Sequence, residues 1–202
     1  MRSYHPFRVT INSVDFAEVA QLQASGQWDA AGQLLADAAR QLERAGAEAL
    51  VLCTNTMHKV ASAIEDAVTI PLIHIADPTA QAIQQARFQT VGLLGTRFTM
   101  EQDFYRGRLV EKHALDVLVP EPADREIVHR VIYAELVLGR ILPDSKQRYL
   151  DIIDNLVKEG AEGVILGCTE IGLLVKAEDC KVPLFDTTRI HAVAAVEYAL
   201  AE

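Results

Sequence analysis

One segment of this chain occurs twice, and that duplication constrains the fold more tightly than any single motif. The first copy reads Ala45-Gly46-Ala47-Glu48-Ala49-Leu50-Val51-Leu52-Cys53-Thr54-Asn55-Thr56. The second reads Glu159-Gly160-Ala161-Glu162-Gly163-Val164-Ile165-Leu166-Gly167-Cys168-Thr169-Glu170. Each predicts a helix end, a tight glycine turn, a short buried strand, and Cys-Thr at the strand's exit. Further on, both halves carry a proline-led apolar strand, Ile70-Pro71-Leu72-Ile73-His74-Ile75 and Val182-Pro183-Leu184-Phe185. Each of these runs into Asp and then Thr before an Ala-rich helix. Strands alternating with helices in this way imply an α/β fold with parallel sheets and crossover helices.

The remaining pattern fills in around the repeat. Phe7 to Phe16 is rich in β-branched and apolar residues and predicts a strand leaving into a loop at Ser13-Val14-Asp15-Phe16. Asp29 to Arg44 has helical spacing and is closed by Gly46, and Met57 to Ala67 is a second helix. After the strand Leu72 to Ile75, a helix is expected over Pro78 to Ala86 with Asp77 as its N-cap. Val91 to Leu94 and Leu115 to Val119 are predicted strands, separated by a helix from about Met100 to Lys112. Helices over Asp124 to Leu138, Ser145 to Glu159 and about Thr188 to Leu200 complete the pattern. With the halves aligned, the second has a strand and helix, Val91 to Lys112, ahead of the counterpart of Arg8–Phe16. The first has nothing there, so a βα unit of the usual ~30 residues is expected to be missing at the start.

Composition narrows the functional classes. Half of the 202 residues are hydrophobic, enough for a sizeable core. A net charge of −9 argues against a nucleic-acid or anionic-membrane surface. Three cysteines leave one over in any disulfide scheme, which points to a reducing compartment. Met1 to Phe7 lacks the apolar stretch of a secretory signal, and no apolar run is long enough to span a bilayer. A cytoplasmic protein is expected.

The chemistry-bearing candidates are Cys53 and Cys168. In α/β folds ligands bind beyond the carboxyl ends of parallel strands, where both cysteines are expected. Helix-start N–H groups following them would lower a thiol pKa and receive a carboxylate. The plain alternative is two small buried hydrophobes, but the repeat and the trailing polar residues favour chemistry. One thiol from each copy suggests two thiols facing one substrate carbon from opposite sides. Thr54, Asn55 and Thr56 offer two hydroxyls and an amide suited to an amino acid's carboxylate and ammonium, or alternatively to helix capping. Thr169 mirrors Thr54, and Thr96 at a strand exit is expected to face the same cleft. Glu170, Asp15 and His58 are lesser candidates: Glu170 could relay protons or simply favour a first helical turn. Cysteine and histidine spacing suits no zinc site, and Gly92-Leu93-Leu94-Gly95-Thr96 lacks the spacing of a nucleotide-binding loop.

Three segments carry a resemblance: Leu52-Cys53-Thr54-Asn55-Thr56-Met57-His58, Gly167-Cys168-Thr169-Glu170-Ile171-Gly172-Leu173-Leu174, and Gly95-Thr96-Arg97-Phe98-Thr99-Met100-Glu101-Gln102-Asp103-Phe104-Tyr105. They resemble the aspartate/glutamate racemase superfamily, within it the branch of broad-specificity amino-acid racemases. The resemblance implies two pseudo-symmetric lobes with the active site between them, here 1–86 plus 189–202 and 87–188, and a homodimer. It implies an enzyme that interconverts L- and D-amino acids without a cofactor. Cys53 would serve the D-enantiomer and Cys168 the L-enantiomer, with Gln23, Thr54, Asn55, Thr56, Thr96 and Thr169 holding the substrate. A Gly-Gly-Met-Ser-type loop found at the start of family members has no counterpart here. Where aspartate-dedicated members carry basic groups, this chain has Ala17-Glu18-Val19 and Val137, so strict aspartate specificity is not expected. The alternatives are a hydantoin racemase or maleate-type isomerase, or an inactive, truncated carboxylate-binding remnant.

Overall fold

A computed structural model describes residues 8–201, which fall into two compact units. The first takes residues 8–52, 57–74 and 193–201, and the second takes 53–56 and 75–192. In the first, α1 (Phe16–Ala24), α2 (Trp28–Arg44) and α3 (Ala61–Glu65) share a core with a two-stranded parallel sheet. That sheet pairs β1 (Leu50–Val51) with β2 (Leu72–Ile73) in the register Leu50↔Leu72. Val19, Leu35, Leu50, Met57 and Ile64 fill the core. Asp15 caps α1 by accepting from the Ala17 N–H at 2.9 Å, which accounts for that residue structurally.

The strand expected from residue 7, leaving into a loop at residues 13–16, is not observed among the described residues. Phe7 lies outside the described residues, residues 8–15 form no regular element, and Phe16 opens a helix. A β-branched run becomes a strand only where a neighbouring strand accepts its ladder and one face is buried. Val9 and Ile11 are exposed, and neither described sheet includes this segment.

The second unit begins with α4 (Ala76–Gln85) and is built on a four-stranded parallel sheet. Its order is β4 (Asp116–Leu118), β3 (Thr90–Gly95), β5 (Gly163–Gly167) and β6 (Leu184–Asp186). Val91 and Leu93 of β3 and Ile165 of β5 pack on one face with α4 and α6 (Asp103–His113). Leu94, Val164 and Leu166 pack on the other with α7 (Pro122–Ala134) and α8 (Pro143–Lys158). Burial on both faces explains why these strands read as continuous apolar runs. Short α5 (Arg97–Glu101) and α9 (Ile171–Leu174) follow β3 and β5, and α10 (Thr187–Leu200) follows β6. No helix among the described residues is long and apolar enough to cross a membrane.

The repeated turn has a backbone cause. Gly46 and Gly160 sit at φ +90 and +111, immediately past α2 and α8, where a side chain would be strained. Asp77 departs from its expected capping role. The helix starts two residues earlier, at Ala76, Ile75 is already in the right-handed region, and no side chain caps it. Asp77 instead receives both guanidinium nitrogens of Arg108 at 2.7 Å, Lys112 at 2.8 Å, and lies 2.9 Å from His113 Nε2. Burial alone would raise this carboxyl, but these donors outweigh burial and hold it well below the usual carboxylate range.

Candidate active site

The first cysteine segment leaves β1 in an irregular conformation and enters a 3₁₀ turn at Thr56–Val60. Along it Cys53 is exposed, Thr54 half-buried, and Asn55 and Thr56 buried. Asn55 Nδ2 donates to Thr187 Oγ1 at 3.1 Å, and Thr187 Oγ1 donates to the Leu166 carbonyl at 2.8 Å. Two hydrogen bonds therefore join the residue two after Cys53 to the residue two before Cys168. The two halves of the repeat meet there. A hydroxyl has one proton, and Thr187 commits it to Leu166, so the Asn55 group facing it must be the amide nitrogen. The amide oxygen is thereby left buried with no hydrogen-bond partner, an acceptor suited to a cationic donor such as an α-ammonium.

Thr56 enters a second cluster. Its hydroxyl lies 3.0 Å from that of Thr96 and 3.5 Å from that of Thr99, with Thr96 and Thr99 3.2 Å apart. Thr96 caps α5 at the exit of β3, accepting from the Thr99 N–H. β3 is the direct neighbour of β5, with Gly95 opposite Gly167. A Cβ at Gly95 would lie 2.8 Å from the Gly167 carbonyl oxygen, and one at Gly167 would lie 2.9 Å from that of Leu94. The glycines let the strand ends approach closely just before Thr96 and Cys168. Three buried hydroxyls at that point can turn their protons toward a carboxylate.

Cys168 leaves β5 partly buried, and its thiol donates to Glu170 Oε2 at 3.0 Å. Thr169 Oγ1 donates to the same oxygen at 2.7 Å. Burial pushes the Cys168 thiol upward, and the charge and hydrogen bond of Glu170 push it further. This reverses the lowering expected from a helix start. α9 has only four residues, and the backbone hydrogen bonds from Thr169 and Glu170 that do favour the thiolate are outweighed.

Of the expected site residues, Asn55, Thr56 and Thr96 are joined by these networks, while Cys168 and Thr169 meet at Glu170. Gln23 belongs to the first unit, where it is buried in α1 and donates to Met57 Sδ at 2.9 Å. His58 is buried in that unit beside His74, with ring centroids 4.3 Å apart. Thr99 and Thr187 were not singled out from sequence, and neither were His129 and Tyr133 of α7. The His129 ring lies 4.9 Å from that of Tyr133, and its Nδ1 accepts from the Arg97 N–H at 3.2 Å. Burial raises the Tyr133 phenol, and the charges of Cys168 and Glu170 add to that shift. Among the described residues no group of three or more His, Cys, Asp or Glu could hold a metal ion.

Residues 2–195 match the family model of the Asp/Glu/hydantoin racemases. The broad specificity amino-acid racemase RacX of Bacillus subtilis (strain 168) is 22% identical over 172 residues, covering 82% of this chain and 70% of that protein. A Yersinia pestis protein of known structure, proposed to be an Asp/Glu racemase, is 55% identical with a TM-score of 0.92. The match covers all of this chain and 87% of that one. The structure of an aspartate racemase homologue from Pyrococcus horikoshii OT3 is 36% identical, with a TM-score of 0.84 and the same coverage of 100% and 87%.

Proposed function

From the chain's membership of the Asp/Glu/hydantoin racemase family, we propose that it interconverts the L- and D-forms of amino acids without a cofactor. Cys53 and Cys168 act as the two proton-transfer groups. One thiolate takes the α-proton: the C–H bond breaks, an S–H bond forms, and the electron pair passes into an enediolate. The other thiol gives its proton to the opposite face of the carbon and is left as thiolate. Cys53 serves the D-enantiomer and Cys168 the L-enantiomer. The observation carrying this reading is the Asn55–Thr187–Leu166 tie, which joins the two cysteine segments through buried polar groups.

The α-proton is weakly acidic, and no electron sink spreads the carbanion's charge. The barrier falls only if fixed donors meet the charge as it develops, and one such donor is worth about 10²–10³ in rate. The Thr56, Thr96 and Thr99 hydroxyls supply donors for the carboxylate that becomes the enediolate. The free acceptor of Asn55 takes the ammonium group. A broad substrate range follows from the similarity to RacX and from the absence of basic residues at the positions named for a distal carboxylate.

The test is racemisation of a panel of amino acids by the parent, Cys53→Ser and Cys168→Ser, read by chiral chromatography. Each substitution replaces a titratable thiol with a far weaker acid and lowers kcat/KM by about 10²–10⁴-fold. If either variant keeps the parental rate, that cysteine is not a proton-transfer group.

A further inference from the structure

Resting on the two-thiol reading above, we propose that Glu170 is a positioning residue that fixes the resting proton on Cys168 before substrate binds. The contact has one chemical sense. A carboxylate oxygen accepts, so the Sγ–Oε2 approach of 3.0 Å exists only while sulfur carries its proton. Thr169 donates to the same oxygen at 2.7 Å and holds the carboxylate in place. Were sulfur to ionise here, two anions would stand at hydrogen-bond distance, an arrangement that disfavours the charged form. The phenols of Tyr133 and Tyr149 are both raised, by burial first and with Cys168 adding to each. Burial acts in the same direction on the thiol itself. Cys168 therefore rests in its protonated form.

The first copy of the repeat has no glutamate at the equivalent sequence position. The position two residues after Cys53 is Asn55, whose amide nitrogen is committed to Thr187. The duplication thus conserves the thiol while the flanking residue differs in charge.

The experiment labels the full chain with iodoacetamide between about pH 7 and 9 and reads each cysteine peptide by mass spectrometry. In the parent, Cys168 labelling rises through this range without a plateau; a plateau would overturn the proposal. In Glu170→Gln, Cys168 labels at least about threefold faster, the net of about tenfold more thiolate per pH unit of fall and the lower nucleophilicity of a weaker base. Glu170→Asp keeps the charge and stays near the parental rate. Labelling of Cys53 is unchanged in both variants, and partly buried Cys180 reports any loss of fold. An unchanged Cys168 rate in folded Glu170→Gln, or an equal acceleration in Glu170→Asp, overturns the assignment. Labelling reads the thiol and not turnover. A chain that shows this response yet racemises nothing keeps the Glu170–Cys168 pairing and loses the racemase reading.

Discussion

Replacing Thr187 with valine removes one hydroxyl and keeps the shape of a fully buried side chain. That hydroxyl accepts from Asn55 and donates to Leu166, so the substitution breaks both links between the cysteine segments. The Leu166 carbonyl loses one hydrogen bond, worth about 0.5–1.5 kcal/mol net. The buried Asn55 amide loses its acceptor outright, a further cost of about 1–3 kcal/mol. The sum is about 1.5–4.5 kcal/mol, or roughly 3–18 °C in Tm for a chain of this size. Urea denaturation followed by circular dichroism measures it, with Thr187→Ser as the control that retains the hydroxyl. Racemisation falls by about 10²-fold at temperatures where the variant is still folded, because a displacement of about 1 Å at the reacting groups has that effect. A loss of stability below about 0.5 kcal/mol together with a parental rate would refute the claim that Thr187 is the tie.

Two further substitutions probe the second unit's frame. Asp77→Asn removes a carboxylate held by Arg108, Lys112 and His113, and is expected to cost about 2 kcal/mol at pH 7. Because the folded-state pKa is depressed, that stability is present above the unfolded value of about 4 and is lost as pH falls below it. Parent and variant urea midpoints should therefore converge in acid, and a gap that stays constant would contradict the assignment. Gly167→Ala places a Cβ 2.9 Å from the Leu94 carbonyl oxygen and 3.0 Å from Leu93 Cδ1. The paired β3 and β5 backbones must shift, at about 1–3 kcal/mol, and Cys168 moves with them. Thermal melts and racemisation assays should show both losses.

The fold was legible where pattern and packing agree. The strands around Leu93 and Ile165 are buried on both faces, so their apolar runs stood out, and the repeated glycine turns announced where β1 and β5 begin. Local propensity failed where tertiary context decided. Neither described sheet takes in the β-branched run from residue 8, and Asp77 was claimed by Arg108, Lys112 and His113 instead of a helix end. The cysteine segments could be read because duplication marks them. Thr99 and Thr187 could not, because each reaches its partners from inside the first turn of a helix, where a threonine looks like any capping residue. The raised Cys168 thiol was hidden for a similar reason: Glu170 two residues on reads as a helix-start acid, and only its side-chain direction shows that it meets the sulfur.

The central claim is that two thiols, each with its own proton, work on opposite faces of one α-carbon. Racemisation run in D₂O and stopped at low conversion tests it most directly, with both enantiomers separated and their α-positions read by mass spectrometry. The account predicts product that carries deuterium from the first turnover, delivered by the opposite thiol, while unreacted substrate keeps its original hydrogen. Early product that retains the substrate's own hydrogen would show a single group returning the proton it took, and would contradict the account.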